Sequence, residues 1–168
     1  MSLTQDLVVI ARQEAELVFP EFDEEMAWKL GSRLRDTASK RYSPVAIEVR
    51  LFGRTLFYSA LKGSTPDNPE WVRRKGNVVG RFYRSSYAVG LELKHANSTL
   101  TEKYALPSAD YAAHGGSFPI RVAAAGVIGS VTVSGLPQRD DHELVVEALC
   151  GELGRDVKEF VLSGGQAT

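Results

Sequence analysis

The sequence predicts an α+β fold: a central antiparallel sheet of two hairpins, flanked by N-terminal, middle and C-terminal helices. Two observations carry this expectation. Apolar residues alternate with period two in two separate blocks, while the segments around and between them keep helical spacing. The strands also come in adjacent pairs rather than alternating one by one with helices, as a doubly wound parallel sheet requires. At 168 residues the chain suits one domain, with a helical N-terminus over residues 1–43 and an α/β core over residues 45–160.

Each element has its own signal. Leu3, Leu7, Ile10, Leu17 and Val18 recur at near-helical spacing, and Pro20 stops that helix. Asp23 reads as an N-cap, with Glu24 and Glu25 favouring the helix dipole; Met26, Leu30 and Leu34 form the stripe of a second helix ending before Pro44. Val45, Ile47, Val49 and Leu51 alternate with Ala46, Glu48 and Arg50 as a half-buried strand, and Gly53-Arg54 turns the chain into a second strand, Thr55 to Leu61. Pro69 suits a first helical turn, with Asp67 or Asn68 as cap, and that helix is expected to reach about Lys94. Residues 97–113 read as a short helix followed by irregular chain. Phe118, Ile120 and Val122 alternate as a third strand, Ala124-Ala125-Gly126 turns, and Val127 to Val133 forms a fourth. Leu136-Pro137 breaks it. Asp140 and Glu143 have capping-box spacing at the start of a last helix carrying Val145, Val146, Leu149, Leu153 and Val157.

Composition narrows the function classes. With 20 basic and 21 acidic residues there is no global field to recruit nucleic acid or an anionic membrane. No recognisable nucleic-acid motif accompanies Arg73, Arg74, Arg81 and Arg84, which read as a solvated face or an oligomer contact. The apolar runs are too short to cross a bilayer, and the acidic N-terminus does not resemble a signal peptide. Cys150 is the sole cysteine, which fits a reducing compartment; a cytoplasmic protein is expected. A Walker loop, a dinucleotide fingerprint, a His-Glu-x-x-His pair and a nucleophile elbow are all absent, and the scattered histidines make no structural zinc site.

Three places break the pattern. Lys75 projects from the middle of the apolar face formed by Trp71, Val78, Val79, Phe82, Val89 and Leu93. An ammonium there needs an anionic partner, such as a ligand carboxylate or phosphate, or a route by which its stem snorkels to water. His114 stands beside Gly115, Gly116 and Ser117, where backbone free of Cβ can approach a ligand or simply turn into a strand. An imidazole there could ligate a metal, ligate haem or exchange protons. Gly129 lies within a strand, where a glycine marks close approach by another backbone, a helix or a ligand. Ser134-Gly135-Leu136-Pro137 then leads into a helix whose free amides suit an anion, against which Asp140 and Asp141 already compete; His142 follows in the first turn.

The run Gly115-Gly116-Ser117-Phe118-Pro119-Ile120 resembles the Gly-Gly-x-x-Pro-Ile signature of the haem-degrading-domain family. Gly126-x-Ile128-Gly129-x-Val131-x-Val133-Ser134-Gly135 with Asp140-Asp141-His142 resembles the strand and helix start that follow it. The chain is most similar to a branch of uncharacterised proteins from bacteria and yeast, which Asn68 to Ser86 also fits. The resemblance spans residues 45–160 and implies a profilin-like fold, a homo-oligomer, and pockets between sheet and helices that take haem or another tetrapyrrole. No histidine precedes His95, so histidine ligation falls to His95, His114 or His142.

These readings lead to one expected function and two competitors. The first is a small-molecule-binding protein holding an anionic, partly planar ligand such as haem near the Gly-Gly turn. Its site would comprise Lys75, His114, Gly115, Gly116, Ser117, Ser134, Asp141 and His142, with no bare metal ion. The second is a protein-interaction or assembly module docking an acidic partner on the arginine face. The third is a redox or haem-processing enzyme, for which the sequence specifies no nucleophile. No nucleic-acid or membrane partner is expected.

Overall fold

The computed structural model describes residues 3–164. Helices α1 (Leu3–Glu16) and α2 (Glu24–Lys40) lead into strands β1 (Ala46–Leu51) and β2 (Arg54–Ala60). Helices α3 (Asp67–Phe82), α4 (Ser86–His95) and α5 (Leu100–Tyr104) follow. Strands β3 (Ser117–Val122) and β4 (Gly126–Ser134), helix α6 (Gln138–Leu153) and a 3-10 turn at Val157–Phe160 complete the chain. The sheet order is β2-β1-β4-β3, with every pairing antiparallel. Two sequential hairpins are therefore joined through their inner strands, as the α+β expectation requires.

The two faces of the sheet differ in chemistry, and the alternation within each strand sets the difference. Ile47, Val49, Val131, Val133, Phe118 and Ile120 turn to one face. There they pack with Leu30 and Leu34 of α2 and Leu144, Val145 and Leu149 of α6 in the main core. Ser117, Ser130, Thr132 and Ser134 alternate with them and are all buried, on the side where α3 packs. Small hydroxyl side chains let α3 sit close; Ser117 Oγ and Thr132 Oγ1 bond one another at 2.8 Å, while Ser130 Oγ is buried without a partner among the described residues. Gly76 of α3 serves the same closeness, since a Cβ there would meet the Arg50 guanidinium at 2.6 Å.

The sheet's two edges are also unlike. Along β3, Phe19 donates to Arg121 O and accepts from Ala123 N, Ser117 N donates to Ser86 Oγ, and Pro119 has no N–H to offer. β2 ends the strand order on the other side, and its outer edge pairs with no strand of the described residues.

Local chemistry departs from the sequence expectations at several boundaries. The helix expected to run to Lys94 is two helices. Tyr83 takes a left-handed conformation (φ 56°) and closes α3, and Ser85 Oγ accepts from Ala88 N to cap α4. The apolar stripe continues across this break, which is why periodicity alone conceals it. The first hairpin turns at Phe52-Gly53, with Leu51 opposite Arg54, rather than at Gly53-Arg54; Gly53 supplies the positive φ of 82°. Neither Asp67 nor Asn68 caps α3, because Asn68 Oδ1 accepts from Thr65 N before the helix instead. Asp23 does cap α2, accepting from Met26 N. Asp140 does not cap α6, whose N-cap position is Pro137.

Gly129 marks a close approach of backbone. A methyl group there would lie 2.1 Å from Arg50 O and 2.9 Å from Leu51 Cα, both in the neighbouring strand. Gly129→Ala is expected to force β1 and β4 apart and destabilise the chain by about 1–3 kcal/mol. A lower urea midpoint with an unchanged slope would show it. An unchanged midpoint would mean the strands tolerate the extra volume and the expectation is wrong.

Candidate functional site

The end of the sheet where β4 stops and β3 begins carries the most unusual chemistry. Lys75 lies on the α3 layer and Asp141 in the first turn of α6 on the opposite layer. Lys75 Nζ donates to Asp141 Oδ2 at 2.9 Å and to Val133 O at 3.2 Å. Lys75 is only 3% exposed and Asp141 1%. The lysine therefore does not snorkel: its anionic partner is a carboxylate of its own chain. Asp141 also accepts from Leu136 N at 3.0 Å and Gly135 N at 3.4 Å. The free amides before α6 are thus closed by Asp141 rather than by Asp140, and the carboxylate fills the place an exogenous anion could have taken. Burial is the largest influence on both groups. It pushes the Lys75 ammonium below its usual value and the Asp141 carboxyl above its own, while each charge opposes the other's shift.

The adjacent glycines serve this pair and the packing around it. A Cβ on Gly116 (φ 132°) would meet Val133 O at 2.2 Å and Lys75 Nζ at 2.8 Å. Gly115 presses on the start of α6, where a Cβ would meet Gln138 O at 2.1 Å; its N–H donates to Gln138 Oε1 at 3.1 Å. Close approach is the right reason for both residues, and what approaches is protein.

Beside the pair lies an open cavity of about 260 Å3, walled by Lys75, His114, Ser134 and Asp141 together with Asn68, Trp71, Gly135, Leu136 and Gln138. Asn68, Trp71 and Lys75 fall at i, i+3 and i+7 on α3, a stripe legible in the sequence once Lys75 is chosen as its anchor. Gln138 carries no such signal. Trp71 is fixed by its Nε1–H, which donates to Asp67 Oδ2 at 2.9 Å, and by the Arg74 guanidinium 4.7 Å over its ring. The His114 ring meets Trp71 edge to face, with centroids 5.3 Å apart. Partial burial, then the charges of Lys75 and Arg74, push the His114 pKa below its ordinary value, so the ring is neutral at pH 7. Neither ring nitrogen has a hydrogen-bond partner among the described residues.

His114 also borders a second cavity of about 310 Å3 on its far side, lined in part by Arg74, Lys94 and Tyr111. Gly90 of α4 brings this wall in, since a Cβ there would meet Ala113 O at 2.2 Å.

Ser117 and His142 lie elsewhere. Ser117 is fully buried beneath α3 in the hydroxyl network. His142 is also fully buried, against Tyr87 and Phe118, and does not line the cavity. Gln13 Nε2 donates to Phe160 O at 2.8 Å, so Gln13 Oε1 is the acceptor and His142 Nε2 carries the proton, 2.8 Å away. Its Nδ1 is buried without a partner. Burial, with Arg139 next, pushes its pKa down to about 3. Cys150 is buried, and burial raises its thiol to about 11, consistent with an inert core residue.

The arginine face is largely engaged within the chain. Arg73 pairs with Glu70 and Asp110, Arg74 Nε donates to Ser108 O, and Arg84 pairs with Glu14 and Glu92.

Two measurements test this geometry. Lys75→Met leaves a buried carboxylate without its cation and is expected to cost about 3–5 kcal/mol in chemical denaturation. Adding Asp141→Asn, whose amide oxygen can still accept from Leu136 N, should recover part of the loss; strict additivity of the two substitutions would contradict a direct pair. His142 gives a pH signature. Its folded pKa lies below its unfolded one, so the unfolded chain binds the extra proton and stability falls as pH drops from about 6.5 towards 3. The slope between pH 6.5 and 5, at most about 1.4 kcal/mol per pH unit, should flatten in His142→Phe; an unaltered slope would place the titration elsewhere.

Comparison with known proteins agrees with the architecture. The family described as "Haem degrading protein HbpS-like" matches residues 22–150. The UPF0303 protein of Paraburkholderia xenovorans is 58% identical over 163 residues, covering 97% of this chain and 99% of its own. A UPF0303 protein of Burkholderia mallei is 60% identical over 164 residues, covering 98% and 99%. Among solved structures, the Ybr137w protein, from yeast, superposes with a TM-score of 0.80 at 31% identity over 86% of each chain. A PduOC:heme complex superposes with a TM-score of 0.65 at 13% identity, covering 79% of this chain and 94% of its own, a likeness of fold alone. No helix of the described residues is long and apolar enough to cross a membrane. The chain belongs to the HbpS-like haem-degrading protein family, alongside the uncharacterised UPF0303 proteins of bacteria.

Proposed function

We propose that the chain is a small-molecule-binding protein whose ligand sits against His114, and that haem or a similar tetrapyrrole is the ligand class. The observation that carries this reading is the state of His114. It is a neutral, accessible imidazole with no partner among the described residues, standing between two cavities. A neutral ring offers the lone pair that an iron centre requires. Family membership and the haem-bound PduOC neighbour add support.

The residues present fit haem in kind. His114 would supply a nitrogen ligand, Trp71 and Leu136 an apolar wall, and Arg74 a cation. At about 260 Å3 the first cavity lies below the usual range for a drug-sized ligand, roughly 300–1,000 Å3. A macrocycle would therefore use both sides of His114. Bound haem would supply a redox-active iron. The chain's own part is to present His114, to exclude water with Trp71, and to hold Ser134, Lys75 and Asp141 along one wall. Gly115 and Gly116 position that wall, and Ser117 and His142 support it from the interior.

A protein-interaction module is the alternative. With Arg73 and Arg84 engaged internally, the arginine face is less suited to an acidic partner. The observation favouring assembly lies at the other side of the molecule, where Trp28 and Tyr58, 63% and 46% exposed, flank the free edge of β2. A homo-oligomer using that edge is compatible with ligand binding at His114.

Haemin titration followed by absorbance tests the main reading. A saturable shifted Soret band is expected, lost or weakened at least about tenfold in His114→Ala. Because the His114 pKa lies below 6.5, affinity should hold level from pH 8 to 6.5 and fall only at lower pH. A band unaffected by His114→Ala would remove His114 as ligand, and no saturable shift would remove haem.

A further inference from the structure

The second cavity differs from the first in its charge. Its walls come from α3, the end of α4, the α4–α5 turn and the chain leading to His114. Arg74 and Lys94 are the formally charged side chains lining it, and no carboxylate does. The neighbouring acids are committed elsewhere: Glu102 accepts from Thr99 N, Asp110 pairs with Arg73, and Glu92 with Arg84. Arg74 is fixed by its Nε, which donates to Ser108 O at 3.0 Å, and by its stacking on Trp71. Both of its terminal nitrogens are left without a partner among the described residues. Lys94 makes no ion pair there either. Ser98, Ser108 and Tyr111 bring uncommitted hydroxyls, over an apolar floor of Leu93 and Leu100.

We propose that this second cavity is an anion subsite, in which Arg74 and Lys94 hold a carboxylate or phosphate group of a ligand whose other end reaches His114. Two cations facing one concavity without a counter-charge concentrate anions there. A guanidinium already held by its Nε presents its remaining N–H groups as a fork, which suits a planar or tetrahedral oxyanion. The hydroxyls can supply further donors, and the leucines accept an apolar body. The subsite itself stands on the composition of the cavity; only its connection to His114 rests on the reading above.

Haemin, which carries two carboxylates, and its dimethyl ester, which carries none, separate the two ideas. In Arg74→Gln/Lys94→Gln, haemin affinity is expected to fall at least about tenfold with the Soret position unchanged, while the ester binds equally to both proteins. Haemin affinity within twofold of the unsubstituted chain would overturn the proposal. If haemin binds neither protein, the haem reading fails and the subsite is tested alone by amide chemical shifts with inorganic phosphate and, separately, malonate. Saturable shifts at Thr99, Thr101 or Tyr111, lost in the double variant, would support it and identify which oxyanion it prefers. Absence of such shifts with both anions would overturn it.

Discussion

A buried ammonium and a buried carboxylate, 2.9 Å apart, join helix α3 to helix α6 across the end of the sheet. Lys75 comes from α3, Asp141 from α6, and both lean on the backbone at the end of β4. Charges so nearly sealed from water are tolerated because each finds several partners within a few ångströms. The carbonyl of Val133 takes a second ammonium proton, and the Gly135 and Leu136 amides take the carboxylate's remaining lone pairs. Much of the surrounding sequence follows from that requirement. Gly116 must lack a side chain to make room for the pair, and Gly115 must lack one to let α6 begin where Asp141 can reach. The hydroxyls on the α3 side of β4 keep the helix low enough for Lys75 to span the end of the sheet. His114, immediately before these glycines, inherits its position from them.

The sheet, its hairpins and its helical cover were legible because periodicity reports directly on which face is buried. Breaks within a continuing stripe were not, and Tyr83 shows why. The left-handed residue that ends α3 is aromatic rather than glycine, and Ser85 restarts α4 so promptly that the apolar pattern hardly notices. Cap residues were similarly ambiguous before α6. Spacing offers Asp140 and Asp141 alike, whereas in the structure neither side chain caps the helix and Asp141 instead accepts from Gly135 N and Leu136 N ahead of it.

The site was legible in part, for a related reason. An unexpected charge on an apolar face is visible in one dimension; the identity of its partner is not, because Lys75 and Asp141 lie far apart in the chain. The Gly-Gly run signalled close approach without saying whether ligand or protein approaches. His142 sits one residue after Asp141, yet the helix turns it inward onto Gln13 while Asp141 points to the end of the sheet. His114 and His142 thus share a residue type and differ wholly in environment: one accessible, the other sealed in the core with a lone pair unanswered. Arg74 escaped notice because it reads as one more member of a charged helix face.

The unlike edges of the sheet restrict how copies of the chain can combine. Phe19, Pro119 and Ser86 close the β3 side, so among the described residues strand-by-strand growth is open at β2. A sheet with one receptive margin behaves as a chain terminator rather than a monomer for polymerisation. Two copies meeting margin to margin about a twofold axis would use up the open edge of the described sheet and leave no such edge for a third. Such an assembly would be closed by construction, with the two β3 strands, and the His114 that precedes each, at opposite ends of a continuous eight-stranded layer.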